Sequence, residues 1–379
     1  MALRSLLTAI SIAAVGLPAT VVVAKDLTLA VGVGPKNSIT HTMQGFADYM
    51  AEHTDINIKV YPLSLLNLKE TPPGLRDGLA DIGFVLTPYY PAEFSETNLA
   101  ANLGMLSTAG VQVDSPGAAI AGALSEYVFN CEECLAEFKD ENQVYLGSGI
   151  GSTYMMLCTS PVQTMEDIKG KKFRSGADNF SRWAEHFGGI AVSLPGNDQY
   201  EAMSQGVIDC TMASATELTN YSLFDVTKSV TVGIPGGNFA GVATNNFNSD
   251  VWKSLTDDER KAALMASARS AADLTWRYYM DSQRDLEAAP GKGIQVIEPA
   301  ADVKAESDAF VMADLKVIED QFTTGYGLSD VGPKIAEFSR LVDKWKTLTA
   351  EIGGDQEALA KVYWDEVFSK VDPSTYGMN

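Results

Sequence analysis

From Lys25 to Val33 (KDLTLAVGV) apolar and polar positions alternate, which is the period of a half-buried strand. The run ends in the turn Gly34-Pro35-Lys36-Asn37-Ser38. The period then lengthens: Ile39, Met43, Phe46, Ala47 and Met50 fall on one helical face, predicting a helix to His53. Ile56–Tyr61 predicts a second strand closed by Pro62, the stretch from Pro72 or Pro73 to Leu79 a helix, and Asp81–Leu86 a third, largely apolar strand. This β-α-β-α-β order implies parallel strands buried on both faces. The loop Thr87-Pro88-Tyr89-Tyr90-Pro91 follows a strand's C-terminal end, where open α/β sheets bind ligands.

The same grammar begins afresh in the second half. Gln143–Leu146 predicts a strand, followed by the loose Gly147-Ser148-Gly149-Ile150-Gly151-Ser152-Thr153. Met165–Ile168 is a short helical turn and Lys172-Phe173-Arg174 a strand entering Ser175-Gly176. Asn179–Phe187 and Asp198–Gln205 read as helices, Ile190–Leu194 and Val207–Met212 as strands. Two such α/β units with a cleft between them suit a hinged binder.

From Asp250 the pattern is helical. Thr256 and Glu259 form a capping box, and helical spacing continues to about Ala289, before Pro290-Gly291. A continuous helix of that reach is on the order of 55–60 Å long. It is too long for one lobe, so it should bridge both or kink. Ile294–Ile297 is a short strand, and Ala301–Thr324, Pro333–Glu351 and Gln356–Lys370 complete the chain as helices.

The N-terminus changes the picture of where the protein works. Residues 1–24 carry one charge, Arg4, ahead of an uncharged stretch interrupted by Pro18, with Val22 and Ala24 at the −3 and −1 positions of a cleavage site. That is the layout of a secretory signal peptide rather than an uncleaved anchor, and no lipidation Cys follows it. Later segments never reach a spanning length without charge, so the product should be exported and free of direct membrane insertion after cleavage.

The 379 residues are 46% apolar and 20% charged, a globular composition with material for two cores. Acidic residues outnumber basic ones 49 to 28, for a net charge of −21. This argues against nucleic acid or an anionic membrane surface as partner. With 3 His and 4 Cys, a multi-His zinc enzyme is not expected, and no metal or other cofactor is implied. Cys131 and Cys134 form a C-x-x-C on a short helix, while Cys158 and Cys210 stand alone. Glu132 and Glu133 would raise a thiol pKa, so one or two structural disulfides are expected, with three connectivities open.

Several stretches together resemble the substrate-binding proteins of tripartite ATP-independent periplasmic (TRAP) transporters, DctP type. They are Leu27–Phe46, Lys59-Val60-Tyr61-Pro62, GLRDGLADIGFVL at 74–86, PVQTMEDIKGKKFRSG at 161–176, QYEAMSQGVIDC at 199–210 and VWKSLTDDERKA at 251–262. The resemblance covers roughly residues 25–345, and its specific part is Asp167 to Arg174. It implies an α/β, two-lobed periplasmic binding protein fold (type II-like), with a long lobe-spanning helix and a helical C-terminal extension. It also implies closure on a small organic acid and delivery to a membrane permease. The corresponding division is a signal peptide at 1–24, one lobe from 25–157 plus 239–280, a second from 158–238 plus 281–345, and an extension at 346–379.

In the family the arginine matching Arg174 binds the ligand's carboxylate. A planar guanidinium at a strand end offers two parallel donors to such a group. The competing reading is a structural Arg bridging the lobes. The protein as a whole repels anions, so attraction must be local, within a screening length of about 8–10 Å. Many relatives carry a second Arg where Ser160 stands and an Asn where Ala213 stands. Here both are small and neutral. Phe84, Tyr89, Tyr90, Tyr154 and Met212 are then expected to line the cleft, with Phe239 (or Asn238) after the crossover strand, and Asn37 and Thr153 donating from turns. Trp183 is expected to pack against the sheet. One buried cation among apolar walls suits an aromatic or other largely apolar monocarboxylate better than a four-carbon dicarboxylate or a sugar acid.

An exported hydrolase using the same cleft is the alternative. It lacks support: His41, His53 and His186 lie on predicted helices, no G-x-S-x-G occurs, and the G-S-G-I-G-S run at 147–152 has no P-loop lysine. A ligand protein feeding a sensor rather than a transporter is a further alternative.

Overall fold

The computed structural model describes residues 25–352 and 354–379, so the segment read as a signal peptide lies outside the described residues. Strands β1 (Lys25–Ala30), β2 (Ile56–Tyr61), β3 (Ile82–Leu86) and β4 (Gln143–Val144) belong to one sheet. Strands β5 (Met155–Cys158), β6 (Lys172–Ser175), β7 (Ile190–Ser193), β8 (Cys210–Ala213) and β9 (Ser229–Pro235) belong to another. Strand β10 (Val242–Asn248) returns to the first and β11 (Gln295–Ile297) to the second. The first sheet has the order β2-β1-β3-β10-β4, the second β11-β9-β5-β8-β6-β7. β1 runs parallel to β2 and β3, as the alternating units require, while β10 enters antiparallel to β3 and β4.

The chain passes between the sheets along 145–154 and 236–241, and again along the helix Asp257–Ala288. These are the two lobes. β5 pairs with β8 and β9 of the second sheet, so the first crossing precedes β5 rather than falling at residue 157. The long helix is broken from Ser249–Ser254 at Leu255, because Thr256 and Glu259 close a capping box that begins a new helix. Its 32 residues span about 48 Å, somewhat less than the continuous pattern implied. It packs on the helix Ser38–His53 in the first lobe and on Glu217–Asn220 in the second.

The helix Pro116–Phe129 was not legible as an amphipathic element because it is buried almost all round. Its outer side is covered by Val331–Thr349, where a Cβ on Gly122 would come 2.2 Å from the Trp345 ring. The last helix, Gln356–Glu366, packs on the same body and donates the Tyr363 hydroxyl to the Ala118 carbonyl at 2.8 Å. Val331–Thr349 and the C-terminal segment thus buttress the first lobe, whereas the former was expected with the second. Both disulfides form: Cys131–Cys134 at the start of the helix Glu132–Asp140, and Cys158–Cys210 across the register pair that joins β5 to β8. Among the described residues no helix is long and apolar enough to cross a membrane.

Candidate functional site

The specific sequence segment 161–176 is mostly a device for placing one side chain. Thr164 and Asp167 cap the short helix Met165–Ile168, Ile168 is buried, and Gly170 turns the chain at φ 72° into β6. Asp209 accepts the Lys172 backbone N–H at 2.8 Å, locking β6 beside β8. Along β6 the faces alternate: Phe173 enters the core and Arg174 turns toward the cleft.

Arg174 is 3% exposed, yet no carboxylate pairs with it among the described residues. Its Nε donates to the Leu194 carbonyl at 2.9 Å and one Nη2 hydrogen to the Tyr89 hydroxyl at 3.2 Å. Of five guanidinium donors, three remain without a protein partner. The Tyr89 hydroxyl also accepts the Gly196 N–H at 2.9 Å, so a first-lobe residue grips the second lobe through two bonds. Asn197 donates to the Gly32 carbonyl at 3.1 Å, and Asn220 accepts from the Ser38 backbone and hydroxyl, both at 3.1 Å. The lobes are closed over the space between them.

That space is a cavity with room for the centre of a water molecule over about 70 Å³. This corresponds to on the order of five waters. The first lobe contributes Ile39, Phe84, Leu86, Tyr89 and Val242; the long helix contributes Leu274 and Tyr278. Tyr154 and Phe239, on the two crossing segments, stack with ring centroids 6.2 Å apart and make an aromatic wall. The second lobe adds Arg174, Gln199, Ala213, Ser214, Glu217 and Tyr221. Arg174 is the only cation among the described residues that line it.

Glu217 is the residue that sequence reasoning missed. It is 9% exposed, and its Oε2 has no hydrogen-bond partner. Burial pushes its carboxyl up to about 7, against the Tyr278 hydroxyl, Arg174 and Asn220, which favour the charged form, while Asp285 opposes it. Tyr221, beside both Glu217 and Arg174, is raised well above the usual phenol range, chiefly by burial. Ser214 Oγ, on the same turn after β8, is also buried and unpartnered. Gln199 is oriented by accepting from the Thr211 hydroxyl at 3.0 Å, which leaves its amide donors for the cavity.

Of the expected positions, Arg174, Phe84, Tyr89, Tyr154 and Phe239 come together in this cavity. Four others lie away from it. Tyr90 turns outward and donates its hydroxyl to the Lys69 carbonyl. Met212 points into the core on the face of β8 opposite Ala213. Asn37 caps the helix Ser38–His53 by accepting the Ile39 N–H at 3.0 Å. Thr153 opens onto different surface grooves. Asn238 is buried, donating to the Gly151 carbonyl at 2.8 Å, and Trp183 packs in the core with its Nε1 on Ser307.

Ser160 stands beyond the far end of β5, accepts from Lys171 and is not among the residues that line the cavity. The glycines of 147–152 serve packing: a Cβ on Gly149 would come 3.0 Å from Leu274, and on Gly151 2.9 Å from Tyr278.

Comparison with known proteins finds that the family model DctP, described as bacterial extracellular solute-binding protein, family 7, matches residues 30–320. A solute-binding protein of Albidiferax ferrireducens is 31% identical over 108 residues, 28% of this chain and 32% of that protein. The matching stretch therefore spans about a third of that relative's length. Among solved structures, a marine-metagenome TRAP solute-binding protein specific for aromatic acids, in complex with 3-hydroxybenzoate, aligns with a TM-score of 0.72. It is 19% identical, and the alignment covers 84% of this chain and 98% of that one. A TRAP periplasmic solute-binding protein from Xanthobacter autotrophicus with bound β-D-galacturonate aligns with a TM-score of 0.66. It is 18% identical over 83% of this chain and 99% of that one.

Proposed function

This chain belongs to bacterial extracellular solute-binding protein family 7, and from that premise we propose that it is a TRAP receptor closing over one small monocarboxylate anchored by Arg174. It is a carrier of solute rather than an enzyme, exported to the periplasm behind a cleaved signal peptide, and it hands the acid to membrane permease subunits. The observation that carries the reading is the guanidinium of Arg174, buried at the lobe interface with three donors and no carboxylate. An unpaired buried cation is costly. A ligand carboxylate accepting two of those donors removes the cost and holds both lobes through Tyr89.

The rest of the cavity supports a monocarboxylate with a flat, largely apolar body. A dicarboxylate would place its second charge among residues that include Glu217 and no second cation. Room for about five waters matches one ring plus a carboxyl, and Tyr154, Phe239 and Phe84 supply apolar faces for a ring. The named ligands of fold neighbours, 3-hydroxybenzoate and galacturonate, span aromatic and sugar acids, so the choice rests on these walls rather than on the fold. A thermal-shift panel tests it. Benzoate-like acids are expected to stabilise the purified receptor, and succinate, malate and galacturonate are not. Stabilisation by the dicarboxylates or the sugar acid alone overturns the assignment of the acid class.

A further inference from the structure

Part of the cavity wall remains unexplained by a carboxylate anchor and an apolar body. Two polar atoms of residues that line it, Glu217 Oε2 and Ser214 Oγ, are buried with no partner among the described residues. Buried polar atoms in folded proteins are nearly always hydrogen-bonded. Of the unpartnered atoms among the described residues, these two belong to residues that line the cavity, three positions apart between the end of β8 and the start of the helix Glu217–Asn220. Nor is Glu217 a counter-ion that silences Arg174, because the two make no ion pair. An ionised carboxylate only accepts, so its missing partner is a donor.

We propose that Glu217, with Ser214 beside it, is a specificity contact for an O–H or N–H donor carried on the body of the bound acid, away from the carboxylate held by Arg174. The inference rests on the receptor reading above and refines its acid class to hydroxylated or amino-substituted single-ring acids. Discrimination of this kind is strong. A site built to bond a ligand hydroxyl rejects the analogue lacking it, since the buried group is then left unpaired. The tyrosines beside Glu217 do not fill the role. The Tyr278 hydroxyl reaches the carboxylate and Tyr221 lies beside it, yet Oε2 has no hydrogen-bond partner with both in place.

Titration calorimetry at pH 8, where Glu217 is ionised, tests this with benzoate, 3- and 4-hydroxybenzoate, 3-aminobenzoate and 3-methoxybenzoate. The hydroxyl and amino arms separate the two donor sources, and the methoxy acid matches size without a donor. At least one donor-bearing acid is expected to bind tenfold or more tighter than benzoate and the methoxy acid. Glu217→Ala is expected to shrink that preference to within threefold, because the carboxylate that penalises a donor-less acid is gone. Glu217→Gln keeps the shape and adds donors, so it is expected to shift preference toward the methoxy acid, a change that misfolding would not produce. Equal binding of benzoate and every donor-bearing acid, or an undiminished preference in Glu217→Ala, overturns the inference and leaves Arg174 as anchor. Failure of every acid to bind wild type overturns the receptor's aromatic-acid reading and this inference together.

Discussion

Replacing Glu217 by Gln removes a titrating group without changing the shape of the cavity wall. The carboxyl's value of about 7 in the folded protein compares with about 4.3 for the free side chain. A difference of two to three units corresponds to about 3 kcal/mol between its protonation states. The sign follows from proton uptake. Between the two pKa values the native state holds a proton that the unfolded chain has released, so stability falls as pH rises through that window. Below about pH 4 both states are protonated and the group contributes no difference; above about pH 7.5 the full cost of a buried charge is present. Glu217→Gln is therefore expected to be nearly neutral at pH 4.5 and to stabilise the ligand-free protein by about 3 kcal/mol at pH 8. Urea melts of wild type and variant at the two pH values measure the difference, in which other titrating groups cancel. The titratable groups facing Glu217 are Arg174, Tyr154, Tyr221, Tyr278 and Asp285. A gain that is equal at both pH values, or larger in acid, would refute the assignment of a buried carboxyl with a raised pKa.

Two further perturbations probe closure and the anchor's support. Tyr89→Phe deletes the hydroxyl that accepts from Arg174 and Gly196 across the lobes, and is expected to weaken acid binding about 5- to 50-fold in calorimetry. Small-angle scattering should show the ligand-bound variant closing less completely; unaltered affinity and shape would count against Tyr89 as the latch. Gly176→Ala places a Cβ 2.9 Å from Arg174 Nη2 and 3.1 Å from the Phe239 ring. Affinity should drop at least fivefold, about 1 kcal/mol, with melting temperature nearly unchanged because a flexible side-chain end gives way; an affinity equal to wild type would contradict it.

Much of the frame was readable because its signals are local. The strand Ile56–Tyr61 and the turn Met165–Ile168 carry period and capping in a few residues. Arg174 was legible only through the family resemblance carried by Asp167 to Arg174; in the fold, β6 turns Phe173 into the core and Arg174 toward the cleft. Met212 was expected to line the cleft, but side chains alternate along β8, so Ala213 faces the cavity and Met212 the core. Asn37 was misplaced because its Oδ1 is committed to a helix cap, which a turn sequence also announces.

Glu217, Tyr221 and Tyr278 had no local mark. They enter the site from a four-residue helix, the loop after it and the middle of the long helix, brought together by the chain's passage between the lobes. One carboxyl among 49 acidic residues is conspicuous only once its burial is known. The same holds for Val331–Thr349, whose partner Pro116–Phe129 is distant in sequence.

The central claim is that Arg174 holds the ligand's carboxylate. Calorimetry of wild type, Arg174→Lys and Arg174→Ala, with the acid that stabilises wild type most, measures it directly. A charge-assisted pair in an enclosed site contributes about 1.5–3 kcal/mol, so Arg174→Ala should bind at least tenfold more weakly. Lysine, which keeps the charge but loses the fork, should fall between. Affinity in Arg174→Ala equal to that of wild type would contradict the account.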